Sequence, residues 1–210
     1  YVIPSNIQVT VETPEGEIIT QIRHIESTGA DYDKLNYLNA MSRYVCSHNP
    51  DEKELVRRFK KVMARPDQSE LITGLAQITG GTAFAVFFGC DLQDAVVALI
   101  VCLMIVLVGR WLSRREGNPM IYNLILAFLS EVVIVTAVRS GLGHHPDRIM
   151  IGIVMLLVSA LGAINGMRDV MQRNFISGSL EVMNSMLGAF GIAFGIALAM
   201  MLMGNISAEG

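Results

Sequence analysis

The run IMIGIVMLLVSALGAINGMRD, Ile149 to Asp169, carries no charge as far as Met167 and then closes on Arg168 and Asp169. Asn165 precedes them by about one helical turn, so the run reads as ending on an amide and an ion pair. Such a group can do binding chemistry. A guanidinium offers a planar fork of donors to a carboxylate, and a neighbouring amide or acid can orient it or meet an ammonium. Two readings stand on the residues alone. In the first, Arg168 snorkels to the lipid headgroups and Asn165–Gly166 stops the helix. In the second, Gly166 breaks the helix and Arg168 faces a substrate carboxylate.

Glu131 lies inside LILAFLSEVVIVTAV, where an ionised carboxylate facing lipid would cost several kcal/mol. It is therefore expected to face protein or water, or to hold a proton, either as a proton-coupling group or as a structural buried glutamate. Arg139 follows two turns later, too far for a direct pair within the helix. Asp94, after FFGCDLQ, is a second proton-coupling candidate, although a helix-end carboxylate near an N-terminus is its plainer reading. His144, His145 and Asp147 give too few ligands of defined geometry for a metal, and Cys46, Cys90 and Cys102 lack metal-ligand spacing. The cysteines read as buried thiols acting as small hydrophobes. With no phosphate loop, nucleophile elbow or nucleotide fingerprint, no cofactor is expected and an enzyme is not indicated.

These groups must be positioned by membrane-spanning helices. The chain has 210 residues, 52% of them hydrophobic, and a mean hydropathy of +0.47. Its apolar residues are concentrated after about residue 70. Charge-free runs cover Leu71–Cys90, Ala95–Gly109, Ile149–Met167 and Val182–Ala208, and Met120–Val138 is interrupted by Glu131 alone. A bilayer core needs about 20 apolar residues per helix, so the pattern predicts about five transmembrane helices: a mainly α, polytopic membrane protein. The net charge of −3 gives no reason to expect a nucleic-acid partner.

Residues 1–66 read as a small cytoplasmic α+β domain, and residues 67–210 as the transmembrane domain. IQVTVETPEGEIITQIRHI alternates Ile7, Val9, Val11 and then Ile18, Thr20, Ile22 about a Pro-Glu-Gly turn, which predicts a hairpin with one apolar face. DYDKLNYLNAMSRYV predicts a helix capped by Asp31, with Leu35, Leu38, Met41 and Val45 at helical spacing. DEKELVRRFKKVMAR predicts a basic amphipathic helix ending before Pro66. It lies either along an anionic leaflet or against the hairpin. The opening YVIPSN has neither initiator Met nor signal-peptide pattern, so further N-terminal residues are expected. Arg57, Arg58, Lys60, Lys61, Arg65, Arg110, Arg114, Arg115, Arg168 and Arg173 fall in regions sharing one side, against Arg139 and Arg148 opposite. By the positive-inside rule the N-terminus is cytoplasmic and the C-terminus external. Gly162 and Gly166, and Gly191 and Gly195, are spaced four apart and mark close helix–helix approach.

Several of these segments resemble one family. GLGHHPDRIMIGIVMLLVSALGAINGMRD followed by ISG is similar to the signature of the threonine/serine exporters, in their N-terminal half, through Asp147, Gly152, Asn165, Arg168, Asp169, Ser177 and Gly178. DYDKLNYLNAMSRYV resembles the family's cytoplasmic helix through Asp31, Tyr32, Leu35, Leu38, Asn39, Ser42 and Arg43. FFGCDLQDA resembles its turn through Phe88, Gly89, Asp94 and Ala95. The chain departs from the family's Pro-containing stretch in the fourth span, where it has Leu156 and then Val158-Ser159-Ala160. Arg173-Asn174 replaces a Gly-Asp pair, Glu181 and Asn184 replace an Arg-Glu element, and the amphipathic helix that precedes the hairpin in the family is absent.

The resemblance implies a multi-pass secondary transporter of the bacterial cytoplasmic membrane that exports a small carboxylate-bearing metabolite, threonine or serine, or a dicarboxylate such as succinate in split members. Arg168, Asn165, Asp169 and Ser159 are the expected substrate contacts, and Glu131 and Asp94 the proton-coupling candidates. Membrane lipid and a separately encoded second half, or further copies of the chain, are the expected partners. The competing class is a non-transporting scaffold or regulator whose cytoplasmic domain carries the function.

Overall fold

The computed structural model describes residues 2–3, 6–13, 16–24, 32–66 and 68–208, with residues 2, 3 and 205–208 as backbone only. The chain divides into two compact units, Tyr1–Glu70 and Leu71–Gly210.

In the first unit, β1 (Val2–Ile3), β2 (Asn6–Glu12) and β3 (Ile18–His24) form an antiparallel sheet in the order β1-β2-β3. The register corrects the expected single apolar face. Val9 pairs with Gln21, Val11 with Ile19, Gln8 with Ile22 and Glu12 with Ile18. Directly paired residues share a face, so Ile7, Val9 and Val11 lie opposite in sense to Ile18 and Ile22. The connection fixes this register: the Thr13 and Gly16 N–H groups donate to the Glu17 and Thr13 carbonyls. Gly16 takes a left-handed φ of 83°, where glycine has no Cβ penalty. Pro14, Glu15 and the expected helix cap Asp31 lie outside the described residues.

Helices α1 (Tyr32–His48) and α2 (Glu52–Met63) pack side by side. The Asp51 carboxylate caps α2 by accepting from the Glu52 N–H at 2.9 Å. Neither helix has a fully buried residue. The Arg65 Nε donates to Asp33 of α1 at 3.1 Å and the Arg58 guanidinium stacks over Tyr44 of α1, while within α2 Arg58 donates twice to Glu54.

The second unit is helical: α3 (Glu70–Phe87), α4 (Leu92–Ser113), α5 (Pro119–Arg139), α6 (Pro146–Leu157), α7 (Ala160–Met171) and α8 (Phe175–Ala208). Three of these, α4, α5 and α8, are long and apolar enough to cross a membrane. α6 and α7 make a fourth span if counted together, although bent by 52°. α3 has span length but falls short in hydropathy, because Glu70, Gln77, three glycines and three threonines dilute its apolar residues. It packs within the unit even so, with Ala85 wholly buried. Val97, Ala98, Val101 and Cys102 of α4 meet Leu126 and Ile134 of α5 and Ile149 and Ile153 of α6 in the core. The expectation for the cysteines holds for Cys102 and fails for Cys46, which is exposed.

Both glycine pairs lie at crossings inside this chain. A Cβ at Gly191 or Gly195 would collide with the Met120 or Leu124 carbonyl oxygen, so α8 runs parallel to α5 at backbone contact. A Cβ at Gly162 would sit 2.8 Å from Ser185 Oγ, and one at Gly166 2.9 Å from the Gly178 carbonyl. The first half of α8 therefore lies antiparallel to α7 and its second half lies on α5.

Candidate functional site

The predicted break in the fourth span exists, at a different residue. The helix continues through Gly166 to Met171, because Gly166 is buried against Gly178 and Val182 of α8. The interruption falls between Leu157 and Ala160, where Val158 turns extended (φ −70°, ψ 124°) and Ser159 sits at ψ 68°. No proline is needed. The Val158 N–H still reaches the Val154 carbonyl, and at the start of α7 the Ala160 N–H donates to the Val158 carbonyl at 3.0 Å and the Ala163 N–H to the Ser159 carbonyl at 3.4 Å. The gap thus leaves helix-terminal N–H and C=O groups with no intrahelical partner in the middle of an apolar run.

Around this break, Ser159 is exposed at the start of α7 with its Oγ beside Gly162. Asn165 and Arg168 are exposed on the α7 face turned away from α8, while Asp169 is half-buried toward it. Arg168 and Asp169 do not form the anticipated ion pair. As successive residues they point about 100° apart on the helix. Among the described residues the Arg168 side chain makes no hydrogen bond or salt bridge, which leaves its donors open. The helix instead ends at Gln172, followed by Arg173 in a left-handed turn (φ 67°).

Glu131 is 3% exposed, and its Oε2 has no hydrogen-bond partner among the described residues. It follows Met120, Leu124 and Ala127 along the α5 stripe that meets α8, by the three- and four-residue spacing of a helix face. Arg139 is engaged elsewhere, donating to the Met203 carbonyl at 2.7 Å.

Asp94 has a different setting. Fully buried in the first turn of α4, it accepts the His144 and His145 N–H groups on Oδ1, at 2.7 and 3.2 Å. Its Oδ2 accepts from His145 Nδ1 at 2.9 Å and, weakly, from the Asp91 N–H at 3.4 Å. Arg148 adds a second tie, donating to the Gly89 carbonyl at 2.6 Å. Gly89 has φ 91°, and a side chain there would be strained. FFGCDLQDA and GLGHHPDR, distant in sequence, are thereby stitched together at one end of the bundle. Asp91, Asp94 and His145 bring ligand atoms within 4.8 Å of one another. Both Asp94 oxygens and His145 Nδ1 are already spent on this stitch, and His144 contributes its backbone.

The structure thus places Asn165, Arg168, Asp169 and Ser159 along one short helix. No hydrogen bond or ion pair among the described residues links them to Glu131 or Asp94. Sequence reasoning named Gly178 as a signature residue but missed its packing role, a Cβ there lying 2.6 Å from the Gly166 carbonyl, and missed Arg148 as the loop tie. The small-residue signal at Gly178 was present, but its partner is set only by the α7–α8 crossing.

The model of the threonine/serine exporter family, ThrE, matches residues 1–203. The chain belongs to the threonine/serine exporter family. No curated protein and no solved structure matches it. Membership makes the apolar helices of the second unit those of a membrane transport protein. It also gives the α4 stitch and the α6–α7 break a setting, since both lie in segments that carry the family resemblance.

Proposed function

We propose that this chain is one subunit of a secondary exporter that moves a small carboxylate-bearing metabolite, threonine or serine or a dicarboxylate such as succinate, out across the bacterial cytoplasmic membrane. The observation that carries the reading is the Arg168 fork, unpaired among the described residues and about two turns past the break in an apolar helix of an exporter-family chain. Arg168 receives the carboxylate. Asn165, on the same face, and Asp169 orient the guanidinium or meet an ammonium, and Ser159 lies at the opened end of α7. Glu131, buried with an unsatisfied oxygen, is the proton-coupling group. In this reading α3 completes five spans, the first unit is cytoplasmic and the C-terminus external.

The test is Arg168→Lys, scored for export of labelled threonine, serine and succinate at equal protein level. Lysine keeps the charge and the reach to the interface but loses the planar fork. Losing one charge-assisted bond of about 1.5–3 kcal/mol weakens binding roughly ten- to a hundredfold. Export should fall accordingly while insertion and abundance hold. Unchanged export would make Arg168 an interfacial anchor and leave Glu131 as the principal candidate, whereas no export of any of the three substrates by the unsubstituted chain would favour the scaffold class.

A further inference from the structure

The first unit contains a site of its own. Between α1 and α2 lies a cavity of about 460 Å³ lined by Tyr37, Met41, Tyr44, Arg58, Lys61 and Arg65. Positions 37, 40, 41 and 44 of α1, and 58, 61, 62 and 65 on and just beyond α2, repeat at helical-face spacing. The cavity is therefore the seam between two facing stripes. One stripe is aromatic and the other cationic. The Arg58 guanidinium stands 3.9 Å over the Tyr44 ring and that of Arg65 3.7 Å over Tyr37.

This stacking fixes the two guanidinium planes without using up their donors. Arg58 spends Nε and Nη2 on the single Glu54 Oε1, at 3.0 and 2.8 Å, and Arg65 spends Nε on Asp33. A guanidinium has five N–H donors, so each arginine retains part of its fork. The Arg58 hydrogen bond lowers the Glu54 carboxyl from its ordinary range. Lys61, between the arginines, meets no carboxylate among the described residues. It lies four positions from Arg57, three from Arg58 and four from Arg65, spacings at which like charges repel on a helix. Arg58 lies in the middle of α2 and Arg65 just past its C-terminal cap, so the two stand at different levels of the seam. The cavity thus gathers three cations in a line beside an open volume, two of them pre-oriented.

We propose that the α1–α2 seam is a binding site for a small, multiply charged oxyanion, a soluble metabolite carrying two or more phosphate or carboxylate groups. Arg58 and Arg65 supply forks at its two ends and Lys61 a point charge at its middle. The tyrosine faces are occupied by the guanidiniums, so the site recognises charge spacing and not a stacked ring. It is separate from the exporter site proposed on α7, and either proposal can fail without the other.

The test uses the full chain in nanodiscs of zwitterionic phosphatidylcholine, with radiolabelled inorganic pyrophosphate as the probe. Saturable binding is expected, and Lys61→Gln should weaken it tenfold or more. Arg58→Lys should also weaken it, since the stacked plane and fork are lost. Lys60→Gln, one residue away and outside the cavity, should leave it unchanged. Absence of saturable binding overturns the proposal, as does equal weakening by Lys60→Gln and Lys61→Gln, which would mean diffuse attraction. A third arm exchanges the lipid for an anionic one. If Lys61→Gln weakens association with anionic discs while pyrophosphate does not bind, the cations serve a lipid headgroup and the metabolite site is overturned.

Discussion

At the scale of single residues, two buried carboxylates of the same helical bundle have opposite surroundings, and this separates their roles. Asp94 accepts three hydrogen bonds of 3.2 Å or less from the loop before α6. Removing it leaves buried N–H groups unpaired, at about 1–3 kcal/mol each. Asp94→Ala should therefore lower the thermal midpoint of the detergent-solubilised protein by several degrees, whereas Asp94→Asn, whose amide oxygen still accepts, should lower it less. Export by Asp94→Asn at normal level would confine Asp94 to the stitch. Glu131 has an oxygen without a hydrogen-bond partner among the described residues, so Glu131→Gln should cost little stability. The same substitution should remove the dependence of export on the proton gradient, measured by substrate release from loaded vesicles with and without an imposed pH step. Proton-dependent export from Glu131→Gln would assign it a structural role.

At the scale of elements, the glycines decide which helices touch. Gly191 and Gly195 allow α8 to reach the α5 backbone, and Gly166 with Gly178 allows α7 to reach α8. A larger side chain at such a crossing forces the backbones apart, and overpacking typically costs about 1–3 kcal/mol. Gly195→Val should accordingly reduce the yield of monodisperse protein and its thermal midpoint. Gly204→Val, with open space around it, should do neither. Equal behaviour of the two variants, read by size-exclusion chromatography and a melting scan, would contradict the α5–α8 crossing. The hairpin gives a different lesson at this scale. Alternation placed apolar residues in both strands, but register set by the turn distributed them over both faces.

At the scale of the whole molecule, charge asymmetry across the loops bears on topology and the exposed α7 face on assembly. If Arg and Lys asymmetry orients the chain, a cysteine introduced at Ser140 in a cysteine-free background should react with an external, membrane-impermeant reagent, and one at Ser113 should not. The reverse pattern would invert the orientation. Arg168 and Asn165 are exposed on α7, on the face turned away from α8. Transporters commonly close a site between two repeats. Full export should thus require a second half or a second copy, and full activity of a reconstituted monomer would refute that requirement.

The sequence by itself determined the membrane class, the helical content after residue 70, the family and which polar residues stand among apolar runs. Those features depend on composition and local spacing, which a chain carries without folding: lipid tolerates only long apolar helices, and a lone Glu131 among apolar residues is conspicuous before any packing. Tertiary structure decided the rest. Gly166 did not break its helix because Gly178 lies against it, so the interruption moved to Val158–Ser159. Asp94 became a stitch because residues fifty positions away brought their N–H groups to it. The seam between α1 and α2 exists only where two stripes, each ordinary alone, face one another. Such outcomes turn on which surfaces meet, and contact between distant segments is what a linear pattern does not encode locally.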